Sequence, residues 1–365
     1  MPKILFDHQT FTIQRYGGLS RYFADLHDGL NKLPGVKSEI ATLYSENEYI
    51  NDADPVLNKT LGKKLFTGHF GRTYRWNKRY CRLKIKMGNF DVLHPTYYDP
   101  YFLADLKKPY VITIPDMIYE VLPHQFEDNV KVIAQKKMVM EHASAIVAIS
   151  EYTKQDIIKF YPQFEDKIAV IPLSSDFTGM PAPIPNTIGR FILFVGERKI
   201  YKNFIAFVKA IAPLLNEDKG LKLVCTGGGK FSAEEEQLLT SLHIANQCLQ
   251  INAVENELKQ LYAQAQVFVF PSYQEGFGIP LLEAFHASCP VAAANASCFP
   301  EIGGDAPAYF DPHSADSMYN TIKSVINDDQ LRAELIRKGK QQVKLFSAEK
   351  VAERSLALYN KVVNG

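Results

Sequence analysis

The chain has 365 residues, of which 46% are hydrophobic and 22% charged, with 41 Lys and Arg against 40 Asp and Glu. This length suggests two domains with cores of their own, and the composition excludes disordered and collagen-like proteins. The net charge of +1 gives no whole-chain support for nucleic-acid binding, so any charge signal must be local.

The cysteines and the N-terminal residues indicate the cellular compartment of the protein. The five cysteines form no CxxC pair and have no accompanying histidine spacing, which argues against a zinc site or a disulfide framework. The N-terminal run lacks the organisation of a signal peptide, and no stretch approaches the roughly 18 apolar residues of a membrane span. We therefore expect a cytoplasmic protein.

Apolar runs of strand length alternate with helical patterns along the chain. The first helical pattern has Leu19, Tyr22, Phe23, Leu26 and Leu30 at spacings of three and four. Strands are predicted at residues 4–6, 92–94, 110–114, 145–149, 168–171, 191–195, 221–225 and 267–270. This alternation predicts an α/β fold of doubly wound parallel sheets covered on both faces.

Residues 174–190 break this pattern, because alternating prolines hold the chain extended and cannot continue a helix or a central strand. We interpret the segment as an interdomain linker. The prediction is an N-terminal domain at residues 1–176 and a C-terminal domain at residues 177–346. A closing helix at residues 347–365 is expected to pack back on the first domain.

The most informative stretch lies around Glu275-Gly276-Phe277-Gly278 and Pro280. A buried strand ends before it, a glycine loop follows, and Pro280 suits the first turn of a helix. Such a loop at a helix N-terminus is an anion site. Seven residues separate Glu275 from Glu283, and two carboxylates beside a phosphate site are good acceptors for sugar hydroxyls. Alone, Glu283 could merely complement the helix dipole and Glu275 could be solvated.

This stretch, QEGFGIPLLEA, resembles the Glu, seven residues, Glu motif of the retaining glycosyltransferases of family 4, which have the GT-B fold. Matching segments run over nearly the whole chain: YGGLSRY, AIVAISEYTKQDI, KIAVIPLSSD, FVGERKIYKNF, ELKQLYAQAQVFVFPS and FSAEKVAE. FDHQTFTIQRYGGLSRYF and DVLHPTYYDPYF look most like the mannosyltransferase branch that builds bacterial surface polysaccharides.

The resemblance implies two Rossmann-like domains facing a cleft, with the donor held by the C-terminal domain and the acceptor by the N-terminal one. It implies retaining transfer of a hexose from a nucleoside diphosphate sugar to a saccharide or lipid-linked saccharide. GDP-mannose is the expected donor, and a UDP-sugar carrying glucose, galactose or GlcNAc remains the alternative. The products would serve lipopolysaccharide, O-antigen or exopolysaccharide synthesis.

Arg198 and Lys202 match the phosphate-binding arginine and lysine of the family, and fixed cations there stabilise a departing diphosphate. Lys199 is interpreted as solvated. Glu197 stands where relatives usually carry a small residue. With Glu275 on the donor sugar, Arg198 and Lys202 complete the predicted catalytic set. The remaining predicted donor-binding residues are Gly17, Gly18, Gly227, Val254, Gly276, Phe277, Gly278 and Glu283, the last on the ribose.

Two glycine clusters match no nucleotide fingerprint on their own. The loop at Gly17 and Gly18 lacks GxGxxG, and the run that begins at Gly227 lacks the Walker spacing. The first is either a plain tight turn or, as the resemblance implies, a loop beside donor and acceptor. The second is interpreted as a turn facing the nucleotide. Near Val254 the family holds the base by backbone groups, which leaves guanine and uracil undistinguished.

His94, Asp116 and Tyr16 are the weaker, acceptor-side predictions. His94 follows a strand at its carboxyl end, where ligands of open sheets gather, although a lone histidine is more often structural. Asp116 matches the aspartate of an HD-type pair, but Pro115 replaces the histidine that many relatives have.

No metal and no cofactor are expected for the chemistry. Asp52-Ala53-Asp54 is formally a DxD metal motif, but no apolar strand precedes it, so we interpret it as a surface loop. The rival enzyme classes on this fold are an epimerase and a phosphorylase, and a phosphorylase needs a pyridoxal lysine for which no matching context appears. A noncatalytic, membrane-associated partner protein is the alternative outside enzymes.

Between Lys59 and Lys86 there are ten basic residues and no acidic one, with Phe66, Phe70 and Trp76 among the interleaved aromatics. This composition is typical of a segment that binds an anionic membrane surface. The alternative is a solvated helix face whose aromatic residues enter the core. A peripheral position on the inner face of the membrane would suit a lipid-linked acceptor, and nucleic acid is not expected as a partner.

Overall fold

The structure is a computed structural model that describes residues 2–50, 55–57, 60–175, 177, 179, 181–182 and 184–365, with only the backbone of Leu61. The DxD motif at residues 52–54 and Lys59 therefore lie outside the described residues. The chain divides into two compact units. The first unit is Met1–Ser174 together with Ser347–Gly365, and the second is Ser175–Phe346. The predicted boundary after residue 176 falls next to this division.

The first unit is built on parallel strands in the order β2-β1-β3 and β4-β5-β6. A bridge between Leu93 and Tyr110 joins β3 to β4, so the two groups continue each other. The strands are β1 (Lys3–Phe6), β2 (Lys37–Ile40), β3 (Val92–His94), β4 (Val111–Ile114), β5 (Ala145–Ala148) and β6 (Ile168–Val170). Buried Leu, Ile, Val and Phe side chains on β1, β3, β4 and β5 form the centre of its core.

Helices α1 to α7 and α15 belong to this unit. Helix α15 packs against α2, where a side chain on Gly29 would lie 3.0 Å from Cβ of Ala352, so only a glycine allows this close approach. The expected return of the closing helix to the first half is thus present within the unit. The helices are α1 (Gln9–Ile13), α2 (Gly18–Lys32), α3 (Thr60–Phe66), α4 (Phe70–Met87), α5 (Ile118–Val121), α6 (Asn129–His142), α7 (Glu151–Phe160) and α15 (Ala348–Asn364).

The second unit has one parallel sheet in the order β12-β11-β10-β7-β8-β9. Its strands are β7 (Arg190–Val195), β8 (Leu221–Thr226), β9 (Cys248–Ile251), β10 (Val267–Phe270), β11 (Val291–Ala294) and β12 (Ala308–Phe310). Its helices are α8 (Phe204–Glu217), α9 (Ala233–Ser241), α10 (Glu255–Gln264), α11 (Ile279–His286), α12 (Phe299–Gly303), α13 (Ala315–Asn327) and α14 (Asp329–Gln342). Both sheets confirm the predicted α/β fold with doubly wound parallel strands.

The proline-rich segment predicted as a linker contains no helix or strand among its described residues before β7. Part of it is held along α10 within the second unit. The side-chain amide of Gln260 donates to the carbonyl of Ala182 at 2.8 Å, and that of Gln264 donates to the carbonyl of Ile184 at 3.0 Å. The chain therefore has fixed contacts to this unit before its first strand begins.

All five cysteines are buried and their thiols are free. Burial raises the pKa of each thiol, to about 12 for Cys248. The described residues contain no group of three or more His, Cys, Asp or Glu that could hold a metal ion. Across the same part of the chain, no helix is both long enough and apolar enough to cross a bilayer.

Candidate active site

The carboxyl ends of β7 and β10 lie where the strand order of the second sheet changes direction. The chain runs outward from β7 through β8 to β9, and from β10 through β11 to β12 on the other side. Ligands of open α/β sheets bind beyond the strand ends at such a point. The loop after β7 and the loop after β10 contact each other there: the Tyr273 N–H donates to the carbonyl of Tyr201 at 2.9 Å.

Lys202, in the loop after β7, forms an ion pair with Glu275, in the loop after β10. The distance from Nζ to Oε1 is 2.5 Å, and each side chain is 13% exposed. The Lys202 ammonium also lies 5.2 Å from the centre of the Phe270 ring. A phosphate that reached Lys202 would compete with the Glu275 carboxylate, which would then be available to accept hydrogen bonds from hydroxyl groups.

The backbone before α8 fixes the position of Lys202. Gly196 has a φ of 125°, a conformation that favours glycine, and Lys202 ends a short 3₁₀ turn. Asn203 follows with a φ of 57°, which asparagine tolerates better than most residues. Its side-chain amide donates to the carbonyl of Pro312 at 2.9 Å, so this turn is tied to the loop after β12.

The loop after β10 turns into α11 at Gly278. This residue has a φ of 88°, and a side chain there would come within 3.0 Å of the Phe299 ring. Pro280 lies in the first turn of α11, as predicted, and the helix begins at Ile279. Phe277 is buried against Phe346, with ring centres 5.6 Å apart. Its side chain therefore supports the loop from inside the unit.

Glu283 is a buried carboxylate on α11. Its Oε2 accepts a hydrogen bond from the Tyr262 hydroxyl at 3.0 Å, and Tyr262 is fully buried. Burial, together with the negative charge of Glu283, holds the pKa of Tyr262 well above its usual value, so the hydroxyl stays a donor. Sequence reasoning missed Tyr262, whose only signal is its place in the helical segment ELKQLYAQAQ.

Arg198 directs its guanidinium at protein groups. Nε donates to Glu235 at 2.8 Å, and the Arg198 side chain is 5% exposed. Nη1 donates to the carbonyl of Gly227 at 3.0 Å, while Nη2 donates to the carbonyls of Gly229 and Lys230 at 3.1 and 2.7 Å. Arg198 therefore holds the glycine loop after β8 and the start of α9, where the sequence predicts a contact to phosphate.

The glycine loop fits closely against the loop after β7. Gly227, Gly228 and Gly229 have φ values of 85°, 70° and 72°, which favour glycine. A side chain on Gly228 would lie 3.1 Å from Cα of Glu197 and 3.2 Å from the Arg198 guanidinium. The predicted turn is therefore a tight loop whose carbonyl groups face Arg198.

Val254, predicted near the base, precedes α10 and is 61% exposed. Its N–H donates to the Glu257 carboxylate at 3.0 Å, and its carbonyl accepts from the Leu258 N–H at 2.8 Å. Both backbone groups of Val254 thus form hydrogen bonds with the first turn of α10. The exposed apolar side chain is the part of Val254 that a ligand could reach.

In the first unit, Gly17 and Gly18 stand at the start of α2. The Ser20 hydroxyl donates to the Gly17 carbonyl at 3.0 Å, and the Ser20 N–H donates to the side chain of Gln14 at 3.1 Å. Tyr16 is 60% exposed, and the Arg15 guanidinium lies 5.6 Å from the centre of its ring. A ligand could reach the Tyr16 ring, the Arg15 side chain and the backbone of Gly18, which are all exposed.

His94 is a buried histidine at the end of β3. Nδ1 lies 2.7 Å from the Tyr359 hydroxyl on α15, and Nε2 lies 2.9 Å from the Thr113 hydroxyl on β4. Burial lowers its pKa to about 3, so the ring is neutral. These contacts tie the closing helix to the sheet, which does not support the predicted acceptor contact.

Asp116 lies just beyond the carboxyl end of β4. Its Oδ1 accepts from the Ile118 N–H at 3.1 Å, and its carbonyl accepts from Lys136 at 3.1 Å. Lys136 also pairs with the buried Glu120 carboxylate at 2.8 Å. The structure thus places Asp116 at the start of α5, in a turn that its side chain helps to close.

A buried polar network at the ends of β1 and β3 was not predicted. The Asp7 carboxylate accepts from the Gln9 side-chain amide at 2.7 Å and from the Thr96 hydroxyl and N–H at 2.7 and 2.8 Å. The Gln9 side chain in turn accepts from the Asp99 N–H at 2.8 Å. The segments FDHQ and HPTYYDPYF, which the sequence shows far apart, are therefore one structural unit.

Two doubly wound units, with an ion pair and a glycine loop at the strand reversal of the second, define an α/β protein with a candidate ligand site at that edge of the sheet. Two family profiles cover them: "Glycosyltransferase Family 4" matches residues 16–176, and "Glycosyl transferases group 1" matches residues 183–342. The two profiles together cover most of the chain, which therefore belongs to family 4 of the glycosyltransferases and has the GT-B fold.

Curated relatives match over part of their length. The chain is 27% identical to O-antigen chain mannosyltransferase B of Escherichia coli over 60% of this chain and 61% of that protein. It is 28% identical to O-antigen chain mannosyltransferase RfbU of Salmonella typhimurium, over 67% of each chain. The match thus spans less than two thirds of the first relative.

A solved structure extends the likeness in fold to the whole chain. The Anabaena protein HepE, in complex with UDP and glucose, superposes with a TM-score of 0.73 at 17% sequence identity. The superposition covers 99% of this chain and 100% of that chain. At this identity the likeness concerns the fold alone.

Proposed function

We propose that this protein transfers a hexose from a nucleoside diphosphate sugar to a saccharide acceptor. The observation that carries the proposal is the Lys202–Glu275 ion pair, at the strand reversal and beside the loop that turns into α11. An ammonium suits the diphosphate, and a carboxylate suits the sugar hydroxyls. Family membership and the names of the relatives support the same reaction.

GDP-mannose is the proposed donor, because the E. coli and Salmonella relatives are both named mannosyltransferases. A UDP-sugar is the second candidate, since the Anabaena structure contains UDP and glucose. The proposed acceptor is a saccharide or lipid-linked saccharide of lipopolysaccharide, O-antigen or exopolysaccharide synthesis. The protein would then act in the cytoplasm, on the inner face of the membrane.

The proposed reaction retains the anomeric configuration. The bond between the anomeric carbon and the β-phosphate oxygen breaks, and a bond from the acceptor hydroxyl oxygen forms on the same face of the sugar. The hydroxyl proton passes to the leaving diphosphate, so no enzyme nucleophile is required. Lys202 stabilises the charge that develops on the phosphate, Glu275 orients the sugar, and Glu283 binds the ribose. Arg198 holds the glycine loop beside them.

A thermal-shift panel of GDP, UDP, ADP, CMP and their sugar conjugates tests the donor site. A ligand at 100 times its Kd adds about 2.7 kcal/mol to the stability of the folded state. We expect a shift with GDP and GDP-mannose that Lys202→Ala abolishes. Lys199→Ala is the matched control, because Lys199 lies three residues away on the same loop and pairs with the exposed Glu197.

Turnover separates the remaining possibilities. A shift confined to uridine nucleotides would replace GDP-mannose by a UDP-sugar. Binding of a donor without transfer to any acceptor, or no shift with any nucleotide, would favour the noncatalytic partner protein. The anomeric configuration of an isolated product, read by NMR coupling constants, checks retention.

A further inference from the structure

Helix α4 buries one side in the first unit and exposes the other. The buried residues Thr73, Asn77, Cys81 and Ile85 follow at intervals of four, along one side of the helix. The opposite side, termed the outer face of α4, consists of Arg72, Arg75, Trp76, Arg79, Leu83, Lys86 and Met87, all of which are exposed.

The buried side of α4 is unusually polar. The Asn77 side chain accepts from the N–H groups of Leu43 and Tyr44 at 2.9 and 3.0 Å and donates to the Thr12 hydroxyl at 2.8 Å. The Tyr74 hydroxyl donates to the Asp99 carboxylate at 2.9 Å. These bonds fix the rotation of the helix about its axis, so the outer face cannot turn inward without breaking them.

The outer face carries large apolar side chains that the core does not use. Trp76 is 46% exposed, Leu83 56% and Met87 65%. The alternative that aromatic residues of this segment enter the core holds for Phe66, which stacks on Tyr44, but not for Trp76. The usual pattern of a surface helix, apolar inside and polar outside, is therefore partly reversed in α4.

The cations of the segment divide in the same way. Lys78, Lys84 and Arg82, toward the flanks, pair with carboxylates of Asp99, Glu39 and Asp105, and Lys86 also reaches Asp105. Within the described residues, no carboxylate pairs with the outer-face Arg72, Arg75 and Arg79, nor with Lys63 and Lys64 on α3. The exposed side is thus positive as well as apolar.

We infer that the outer face of α4 docks this protein on an anionic lipid bilayer. Tryptophan favours the interface between headgroups and acyl chains, Leu and Met gain from burial there, and the arginines meet the lipid phosphates. Nucleic acid would satisfy the arginines but leave Leu83 and Met87 in water. The docking surface does not depend on the proposed transfer reaction.

Trp76 makes the test direct, because it is the sole tryptophan of the chain. The full-length protein is titrated with vesicles of phosphatidylcholine containing one quarter phosphatidylglycerol, and with pure phosphatidylcholine vesicles. We expect a blue shift of Trp76 emission and co-sedimentation with the anionic vesicles only. Brominated lipids should quench the emission. Raising the salt from 0.1 to 0.5 M should weaken binding, because exposed charges are then screened.

Three double variants distinguish binding through the outer face of α4 from a general effect of protein charge. In R75Q/R79Q, binding should fall about 25-fold, since each surface cation contributes a factor of about five. In K340Q/K344Q, the same charge is removed from exposed lysines of the second unit, and binding should stay unchanged. The variant L83S/M87S tests the apolar part by co-sedimentation, and circular dichroism verifies that each variant is folded.

Three results would overturn the inference. Vesicle binding without a change in Trp76 emission would mean that another surface docks. Equal loss in R75Q/R79Q and K340Q/K344Q would reduce the effect to general charge. A blue shift that depends on protein concentration, without vesicles, would show that a second copy of the chain covers the outer face.

Discussion

Lys202 faces two competing anions in the proposed reaction, the Glu275 carboxylate 2.5 Å away and the phosphate of a bound donor. The glutamate keeps the lysine in place before the donor arrives, and the donor releases the glutamate for the sugar. A neutral residue at position 275 would hold the lysine less firmly.

Glu275→Gln should lower kcat by about 100-fold or more, because its hydrogen bonds to the sugar would strengthen as the transition state forms. Glu283→Gln should mainly raise the KM for the donor, by about tenfold, because a charged hydrogen bond to the ribose is lost. Initial rates with donor and acceptor varied separately measure both. The control is Glu197→Gln, on an exposed side chain. Small and equal effects at 275 and 283 would contradict the division of roles.

Substitutions of Arg198 and Gly228 should have non-additive effects, because both residues hold the same loop. Arg198→Lys removes the bonds to several carbonyls at once, and Gly228→Ala forces the loop away from Arg198. Each should raise the donor KM and speed hydrogen exchange at residues 227–231, and the double variant should be little worse than either. Additive effects, with exchange unchanged in Arg198→Lys, would mean that Arg198 acts on the phosphate directly.

The buried His94 predicts acid sensitivity of the first unit. Its folded pKa of about 3 lies below the unfolded value of 6.5, so the unfolded chain binds the proton more tightly. The stabilisation is complete above about pH 6.5 and declines as pH falls, by about 2 kcal/mol at pH 5. His8, with a pKa of about 4, adds a similar loss.

His94→Gln can still form hydrogen bonds but does not titrate. Urea unfolding of this variant between pH 7.5 and 5 should show a decline in unfolding free energy smaller by about 2 kcal/mol than that of the parent chain. An unchanged pH slope would mean that His94 is protonated in the folded state or does not control acid unfolding.

At the residue scale, the sequence predicts Lys202 and Glu275 as site residues, but it predicts neither their ion pair nor the groups that support the site. Lys202, Glu275 and Gly278 belong to local motifs whose spacing is visible. Glu235, which fixes Arg198, lies 37 residues further along the chain, and Tyr262, which fixes Glu283, lies 21 residues away. Only the folded sheet brings such partners together, so the clamp formed by Arg198 could not be predicted.

The closing helix α15 packs on the first unit through a buried tyrosine. Tyr359 is 1% exposed, and its hydroxyl meets His94. Tyr359→Phe should cost about 1 to 3 kcal/mol, because Nδ1 of His94 is left unpaired, and Tyr359→Ala about 3 to 5 kcal/mol through the cavity. Chemical denaturation measures both. Tyr16→Phe, on an exposed ring, is the control and should change stability by less than about 0.5 kcal/mol.

All eight predicted strands are present, whereas β2, β9, β11 and β12 were not predicted. Three of these four lie at the edges of sheets, where one side is open and the sequence is accordingly mixed, as in KSEI of β2 and CLQI of β9. β11 is VAAA, and alanine favours helices. Apolar patterning therefore predicts runs of large apolar residues, such as β6 at a sheet edge, and misses strands of mixed or alanine-rich sequence, even where they are buried as β11 is.

At the scale of the whole molecule, the folded chain buries its cysteine thiols. Every cysteine is buried, and burial raises the pKa of each thiol, so thiolate is scarce. Ellman's reagent should find essentially no reactive thiol in the native protein within minutes and five in 6 M guanidinium chloride. Rapid reaction of one thiol without denaturant would indicate local opening around it.

The first unit is built from the two ends of the chain, residues up to Ser174 and those from Ser347, while the second unit is continuous. During synthesis, the second half can therefore complete its sheet before the first half receives its last helix. Until α15 leaves the ribosome, the surface of α2 around Gly29 and the ring of His94 lack their cover. A chain truncated before α15 would therefore have its packing defect in the first unit, which is built mainly from the opposite end of the sequence.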